Sequence, residues 1–254
     1  MTGHQGDHPA PLLPVPAGLA WLGVVRHGQS RANAQSDEAH AAGRAETGVV
    51  ERDADVPLTD RGREEARLVG AWLAGLPADQ TPELIVVSPY RRCQETIRLA
   101  LAAAATTSDL PGRAEIVTDE RVRDNEVGVL EGLTARGVRE RFGEEADRKR
   151  RLGPFYYRPP GGESWADVAL RLRSLLGDLN TYAADRRVLW VAHDLTARLT
   201  RYLFQGLSEQ ELRHASATDP VPNASLTTWL RRGDRYELTE RHTVEHLTRH
   251  RPAS

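Results

Sequence analysis

The chain has 254 residues and a formal net charge of −2, so its composition gives no general attraction to nucleic acids or acidic membranes. Hydrophobic residues make up 39% and charged residues 28%, a balance typical of a protein that buries a core in water. Cys93 is the only cysteine, and no apolar run reaches the roughly 18 residues that a membrane helix needs. We therefore expect a cytoplasmic protein without an intrachain disulfide, a membrane partner or a nucleic-acid partner.

The first strand is predicted where the apolar run Leu19 to Val25 begins. Residues 1–18 precede it and are rich in proline and glycine, which predicts a disordered N-terminal tail. The strand ends at Arg26-His27-Gly28, and a helix is predicted to open at Ser30. The polar cluster therefore lies at a strand end that faces a helix N-terminus, where open α/β sheets bind ligands.

The residue types in this cluster suit an anion. The guanidinium of Arg26 is a permanent cation whose planar donors match phosphate oxygens. The imidazole of His27 titrates near neutral pH and can act as a nucleophile. Gly28 allows a ligand to approach the backbone closely. Because the motif is short, a buried strand end with a satisfied Arg and His is the alternative interpretation.

After a loop and a helix, the chain repeats the arrangement of a strand followed by polar residues at the start of a helix. Thr59 or Asp60 is predicted to cap a helix that ends at Gly75, after a loop over residues 36–56. The apolar run 83–87 predicts a strand, and Ser88 to Arg92 follow it. Pro89 suits the first turn of a helix that should reach about residue 105. An Arg at this helix start could reach the same anion as the first motif.

The middle of the chain is rich in turns and charges. Residues 114–118 predict a third strand, and Asp124 lies in the carboxylate-rich stretch that follows it. Thr134 is predicted to cap a helix through residue 142, and the charge run 144–151 is interpreted as a solvated helix face. The aromatic loop at Tyr157 and Arg158 precedes an amphipathic helix that starts after residue 164.

The clearest buried strand comes late in the chain. Residues 187–192 deliver His193 and Asp194 at their end, and a helix follows from residue 195 to 205. Residues 223–231 and 235–241 predict two closing strands. Strands alternating with helices predict an α/β fold with a mostly parallel central sheet, formed by one domain over residues 19–241 and followed by a C-terminal tail over 242–254.

Together these motifs resemble the histidine phosphatase superfamily, the phosphoglycerate-mutase-like proteins. The matching pieces, in chain order, are Arg26-His27-Gly28 with Ser30 and Asn33, Pro57-Leu58-Thr59, Ser88 with Arg92 and Thr96, Asp124, and His193. The resemblance spans about residues 20–230 and implies a three-layer sandwich of helices around the sheet. Residues 123–173 look most like the fructose-2,6-bisphosphatase branch, because of the Tyr-Tyr-Arg-Pro run and Arg171.

The resemblance implies a phosphatase acting on phosphorylated small molecules without a metal or another cofactor. His27 would attack phosphorus and form a phosphohistidine. The phosphoryl oxygens would be held by Arg26, Arg92 and His193, with Ser30 and Asn33 as neutral donors. Asp124 would give a proton to the leaving oxygen, which requires burial or Glu126 to raise its pKa.

The organic part of the substrate is expected to meet the loop 36–56, Tyr157, Arg158 and Asp194. Asp194 departs from the Gly or Gln that usually follows the second His of this family. It would share the proton transfer, as in the acid-phosphatase branch, or cap the following helix, which is the interpretation we favour.

Three alternatives stay open on the sequence. A phosphoglycerate mutase would use the same pocket, and a non-catalytic binding protein could share the fold. The His242-x-x-Glu245-His246 spacing also fits a pattern of some zinc proteases. We interpret that last stretch as a solvated terminal helix.

Overall fold

The computed structural model describes residues 13–108 and 113–249 and contains a six-stranded sheet of order β3-β2-β4-β1-β5-β6. The strands are β1 (Trp21–Arg26), β2 (Leu84–Val87), β3 (Glu115–Thr118), β4 (Arg187–Ala192), β5 (Leu226–Arg232) and β6 (Arg235–Thr243). Strands β3, β2, β4 and β1 run parallel, whereas β5 pairs antiparallel with β1 and β6 antiparallel with β5. The mostly parallel sheet predicted from the sequence is confirmed.

Helices cover both faces of this sheet. They are α1 (Arg31–Ala41), α2 (Asp60–Ala74), α3 (Arg91–Ala104), α4 (Ala135–Arg141), α5 (Gly143–Tyr156), α6 (Trp165–Tyr182), α7 (Asp194–Gln205), α8 (Glu209–Thr218) and α9 (His246–Arg249). Short 3-10 turns lie at Asp53–Asp55, Glu120–Val122 and Gly128–Leu130.

Strand β1 shows why the fold has three layers. Its side chains alternate between the two faces of the sheet. Leu22 and Val24 join a core with the apolar residues of α6 and α7, whereas Trp21 and Val25 join a second core with those of α2 and α3. Both faces are therefore buried, which explains why the central strands are continuous apolar runs rather than alternating ones.

Most predicted helix boundaries agree with the structure. Thr59 caps α2 by accepting a hydrogen bond from the Gly62 N–H, and Thr134 and Ser164 cap α4 and α6 in the same way. The loop predicted from residue 36 starts later, because α1 continues to Ala41. Pro89 precedes the N-cap of α3 and is therefore outside its first turn.

The terminal boundaries differ more. Val15 and Ala17 pack against the core of α6, so the predicted disordered tail is wrong for residues 13–18, while residues 1–12 lie outside the described part of the chain. At the other end, β6 continues through Thr243 and α9 packs near α2. The tail predicted from residue 242 is thus part of the domain up to residue 249.

No helix within residues 13–108 and 113–249 combines the length and the apolar character needed to cross a bilayer.

Two helix glycines give a matched test of packing. A Cβ on Gly70 of α2 would lie 2.2 Å from the carbonyl oxygen of Ala100 in α3, whereas a Cβ on Gly177 of α6 meets nothing within 4 Å. We expect Gly70→Ala to lower the free energy of unfolding by about 1–3 kcal/mol, because α2 and α3 must move apart. Gly177→Ala should raise it by about 0.5–1 kcal/mol, because alanine loses less backbone entropy. Urea unfolding measures both, and equal shifts in the two variants would contradict this account of the α2–α3 contact.

Candidate active site

The carboxyl ends of β1 and β4 bring the two predicted histidines together. The two strands pair in parallel register from Trp21 with Arg187 to Arg26 with Ala192, and the next N–H, that of His27, donates to the Ala192 carbonyl at 3.0 Å. The ring centroids of His27 and His193 are consequently 5.2 Å apart. The sequence prediction that both histidines reach one edge of the sheet is confirmed.

His27 is held as a neutral imidazole with a defined tautomer. Its side chain is 2% exposed, and its Nδ1 lies 2.7 Å from the carbonyl oxygen of Gly28. A carbonyl only accepts, so Nδ1 carries the proton and Nε2 keeps its lone pair. Burial, followed by the positive charges of Arg92, His193 and Arg26, holds the pKa of His27 well below its ordinary value. These are the properties of a nitrogen nucleophile.

Gly28 has no room for a side chain. A Cβ there would lie 2.4 Å from the carbonyl oxygen of Gly62 at the start of α2. The Gly28 N–H also donates to Thr96 Oγ1 of α3 at 3.1 Å. The turn that orients His27 is therefore clamped between two helices.

His193 and Asp124 form a buried ion pair behind this nucleophile. His193 Nδ1 lies 3.2 Å from Asp124 Oδ2, and its Nε2–H donates to Ser88 Oγ at 2.9 Å. Burial alone would lower the pKa of His193, but the charge of Asp124 offsets it and raises that pKa to about 9. His193 is thus a cation at neutral pH.

Asp124 is correspondingly ionised, which corrects the sequence expectation. Burial raises the pKa of this carboxyl, but the charges of His193 and Arg92 act more strongly and hold it well below its usual range. Glu126, predicted as the group that raises this pKa, instead accepts a hydrogen bond from the Gly128 N–H at 3.3 Å. In the free protein the proton of the pair therefore rests on His193.

Arg92 connects Asp124 to the loop between α1 and α2. The residue is 3% exposed, and the Cζ of its guanidinium lies 4.8 Å from the centroid of the Tyr90 ring. It donates to Asp124 Oδ2 at 2.9 Å and to both carboxylate oxygens of Asp53, at 2.9 and 3.2 Å. The sequence predicted Arg92 as a site residue, and the structure places it in the cavity lining. The sequence did not indicate Asp53, because a single acidic residue in a polar loop carries no distinguishing pattern.

Arg171 fixes the backbone that carries Asp124. Its Nη2 donates to the Asp124 carbonyl at 3.1 Å, and its Nη1 donates to the carbonyl of Arg121. Glu163 pairs with Arg171 and also with Arg123. Helix α6, which carries Arg171, thereby fixes the position of the loop that contains Asp124.

Arg26 lies at the same edge of the sheet, at the end of β1. Its Nη1 donates to the Val221 carbonyl at 2.5 Å, and its Nε is buried without a hydrogen-bond partner in the described part of the chain. A buried unpaired guanidinium nitrogen is costly, so this donor is available to a bound anion.

Ser30 and Asn33 contribute the start of α1. Ser30 caps the helix, and Asn33 Oδ1 accepts from the Ser30 N–H, the Ser30 hydroxyl and Asn223 Nδ2 at 3.0–3.1 Å. The three donors fix the orientation of the amide, whose Nδ2 has no hydrogen-bond partner among the described residues. Asn223 comes from the turn before β5, and its role was not visible in the sequence.

These residues surround a cavity of about 280 Å³. Its lining consists of Arg26, His27, Ser30, Ala32, Asn33, Ser36, Thr47, Val49, Glu51, Asp53, Arg92, Asp124, Asn125, Val127, Glu131, Gly132 and Asp194. His193 lies behind this wall, with no exposed surface. The predicted loop contributes the lining from residue 47 to residue 53.

Two predicted substrate-binding residues lie outside the lining. Tyr157 is 4% exposed, and its hydroxyl donates to Glu145 at 3.0 Å within α5. Arg158 pairs with Asp167 at the start of α6. Both side chains are engaged in packing the α5–α6 connection, so the prediction that they contact substrate is not supported by their placement.

Asp194 does line the cavity. Helix α7 begins at Asp194 with His193 as its N-cap, so Asp194 lies in the first turn rather than at the predicted capping position. Its carboxylate lies 3.7 Å from Arg198 one turn later, and negative charge at a helix N-terminus is favourable.

The His-x-x-Glu-His stretch forms neither a metal-binding helix nor a solvated one. His242 belongs to β6, and its Nδ1 lies 2.9 Å from Thr227 Oγ1, whereas His246 opens α9. Both histidines are buried, and burial lowers the pKa of each to about 4. Both histidines are therefore packing residues at the C-terminal end of the domain.

Comparison with known proteins agrees with this geometry. The sequence model of the histidine phosphatase superfamily (branch 1) matches residues 22–243. A 2,3-bisphosphoglycerate-dependent phosphoglycerate mutase 2 from Gloeobacter violaceus is 32% identical over 211 residues, which cover 81% of this chain and 85% of that protein. The chain therefore belongs to the histidine phosphatase superfamily.

Solved structures show the same fold. A mycobacterial glucosyl-3-phosphoglycerate phosphatase is 26% identical, with a TM-score of 0.62 over 87% of this chain and 98% of that one. A putative alpha-ribazole-5'-P phosphatase from Escherichia coli, 19% identical, has a TM-score of 0.68 over 89% of this chain and 97% of that one. The relatives thus include both mutases and phosphatases.

The pKa of His193 gives a prediction for the dependence of activity on pH. The pKa of His193 in the folded protein, about 9, lies above the ordinary 6.5. The imidazolium is therefore fully present at neutral pH and is lost as the pH rises through about 9. We expect kcat/KM for a phosphomonoester to fall through the same range, since kcat/KM reports groups of the free enzyme. His193→Gln should lower activity and remove this alkaline limb, because glutamine does not titrate. An identical limb in wild type and variant would assign it to another group.

Proposed function

We propose that the protein is a metal-independent phosphatase that hydrolyses phosphomonoesters of small molecules through a phosphohistidine at His27. One observation carries the proposal. A neutral imidazole, with its Nε2 unprotonated, lies at the wall of a cavity that also presents the guanidiniums of Arg26 and Arg92. A nucleophile and fixed positive charge are the two requirements for phosphoryl transfer.

In the first step, His27 Nε2 attacks phosphorus and the bond to the leaving oxygen breaks. Arg26 and Arg92 bind the phosphoryl oxygens, and the imidazolium of His193 adds positive charge until its proton is transferred. The leaving oxygen takes a proton from Asp124. Because Asp124 is ionised in the free protein, that proton comes from His193, 3.2 Å away, once bound phosphate neutralises Arg92.

In the second step, water attacks the phosphorus of the phosphohistidine. Asp124 accepts the proton of that water, and the N–P bond breaks to release inorganic phosphate. The proton returns to the His193–Asp124 pair, and His27 regains its lone pair. Positive side chains supply the charge that a metal supplies in other phosphatases, so this scheme includes no metal.

A phosphoglycerate mutase is the second candidate, and the Gloeobacter relative supports it. It would form the same phosphohistidine but return the phosphoryl group to a second oxygen of the substrate. A non-catalytic binding protein is less well supported, because the nucleophile, both arginines and the buried acid are all present. The resemblance to the fructose-2,6-bisphosphatase branch has little structural support, because Tyr157 and Arg158 of the shared run lie outside the cavity.

His27→Ala tests the nucleophile. We expect phosphate release from p-nitrophenyl phosphate, with a chelator present, to fall by about 10³-fold or more, because the covalent route is lost. Acid-labile, base-stable phosphate should be trapped on the wild type and be absent from the variant. His214→Ala, which replaces an exposed histidine of α8, is the matched control and should keep wild-type activity. Unchanged turnover in His27→Ala would refute the scheme.

A separate assay distinguishes phosphatase from mutase. We expect the wild-type protein, given 3-phosphoglycerate with 2,3-bisphosphoglycerate as primer, to form no more 2-phosphoglycerate than the His27→Ala variant forms. Isomer conversion that is primer-dependent and faster than phosphate release would favour the mutase.

A further inference from the structure

The charges around the cavity point to the kind of substrate it accepts. We propose that the site selects phosphomonoesters whose small organic part carries a cationic group and no second anionic group. This inference rests on the proposed phosphatase function and extends it to the substrate class.

The cavity walls have more acidic than basic side chains. Among the described residues, the lining guanidiniums are those of Arg26 and Arg92. The lining carboxylates are Glu51, Asp53, Asp124, Glu131 and Asp194. A site that must hold two phosphates, or a phosphate and a carboxylate, would instead be expected to have an excess of basic side chains.

Ion pairs decide how many of these charges a ligand meets. Asp53 and Asp124 both pair with Arg92, and Asp124 also pairs with His193. Glu51 pairs with Arg31, which lies outside the lining. After these pairs are formed, Arg26 and Arg92 are the lining cations that serve the phosphoryl group, and the described lining offers no further cation for a second anion.

Glu131 is the lining carboxylate with the least compensation. Its side chain is exposed, and it forms no ion pair or side-chain hydrogen bond with a described residue. The side chain of Asp194 is 43% exposed, and its ion-pair partner among the described residues is Arg198, at 3.7 Å. Both carboxylates line the same cavity as His27, so their charge is available to a group that extends from the phosphate.

The wall that carries Glu131 is firmly built. Thr47 N–H donates to the Gly132 carbonyl at 2.9 Å, and Thr134 N–H donates to the Ala45 carbonyl at 3.0 Å. These bonds join the loop of Glu51 and Asp53 to the loop of Glu131.

The presence of His27 in the same cavity already identifies it as a ligand site. His27 is buried, it lines the cavity, and its Nε2 has no hydrogen-bond partner among the described residues. A phosphoryl group placed at that nitrogen has its ester substituent in the same cavity as these carboxylates. An ammonium group there gains from the carboxylates, whereas a carboxylate or a second phosphate is repelled.

A pair of isosteric substrates tests the charge alone. Phosphocholine and 3,3-dimethylbutyl phosphate have the same shape, but the first has a quaternary nitrogen where the second has carbon. At low ionic strength we expect kcat/KM for phosphocholine to exceed that for the neutral isostere by about tenfold, and that for 3-phosphoglycerate to be lower than both. The ratio should shrink in high salt, because exposed charges are screened.

Charge-neutralising variants locate the effect. Glu131→Gln with Asp194→Asn should bring the phosphocholine-to-isostere ratio towards one and raise kcat/KM for 3-phosphoglycerate. Asp234→Asn is the matched control, because that side chain is 95% exposed on the β5–β6 turn, outside the lining. It should leave all three values unchanged.

The outcomes separate the two proposals. Equal His27-dependent hydrolysis of phosphocholine and its isostere, or preferred hydrolysis of 3-phosphoglycerate, would overturn the charge selection and leave the phosphatase intact. The absence of His27-dependent phosphate release from all three compounds and from p-nitrophenyl phosphate would overturn the phosphatase itself, and the substrate class with it.

Discussion

The site depends on one buried carboxylate placed between two cations. Asp124 Oδ2 lies 2.9 Å from Arg92 Nη2 and 3.2 Å from His193 Nδ1. Without it, two positive charges would be buried side by side, which is among the costliest arrangements in a protein interior. With it, His193 keeps its proton, and the positive charges of His193 and Arg92 help to keep His27 unprotonated. Asp124 therefore keeps His193 protonated, whereas burial, with the charges of Arg92 and His193, keeps His27 neutral, although the two rings are 5.2 Å apart.

The sheet makes this arrangement possible. Strands β1, β2 and β4 are parallel neighbours, so the residues after them lie at one edge. His27, Ser88 and His193 each follow one of these strands directly. The strands are short and buried on both faces, and backbone hydrogen bonds between them leave the three side chains little freedom. Such a frame pre-organises the charges before a substrate arrives.

Local patterns predicted much of this fold from the sequence. Strand β4 has the predicted limits, and α2, α4 and α6 begin at the predicted caps, because an apolar period and a capping residue are local signals. The ends of the domain were predicted poorly. The strand through His242 has no clear apolar alternation, and His242 is buried against Thr227 of β5 rather than by its sequence neighbours.

The site was predicted in part, for a related reason. His27 and His193 directly follow strands and Arg92 lies in the first turn of α3, so their motifs predicted that they lie at this edge of the sheet. Asp53 and Asn223 lie in loops where nothing in the neighbouring sequence shows what they contact. The pKa of Asp124 was predicted in the wrong direction, since burial was visible in the sequence pattern but the two cations around the carboxyl were not. Tyr157 was assigned to the substrate from the run around it, although the α5–α6 connection uses it for packing.

The central claim concerns the protonation of the two histidines, which nitrogen NMR of the imidazole rings measures directly. In the free protein at pH 7.5 we predict that His27 is neutral, with its proton on Nδ1, and that His193 is doubly protonated and loses a proton near pH 9. Signals are assigned by comparison with His27→Gln and His193→Gln. A doubly protonated His27, or a neutral His193 at that pH, would contradict the account.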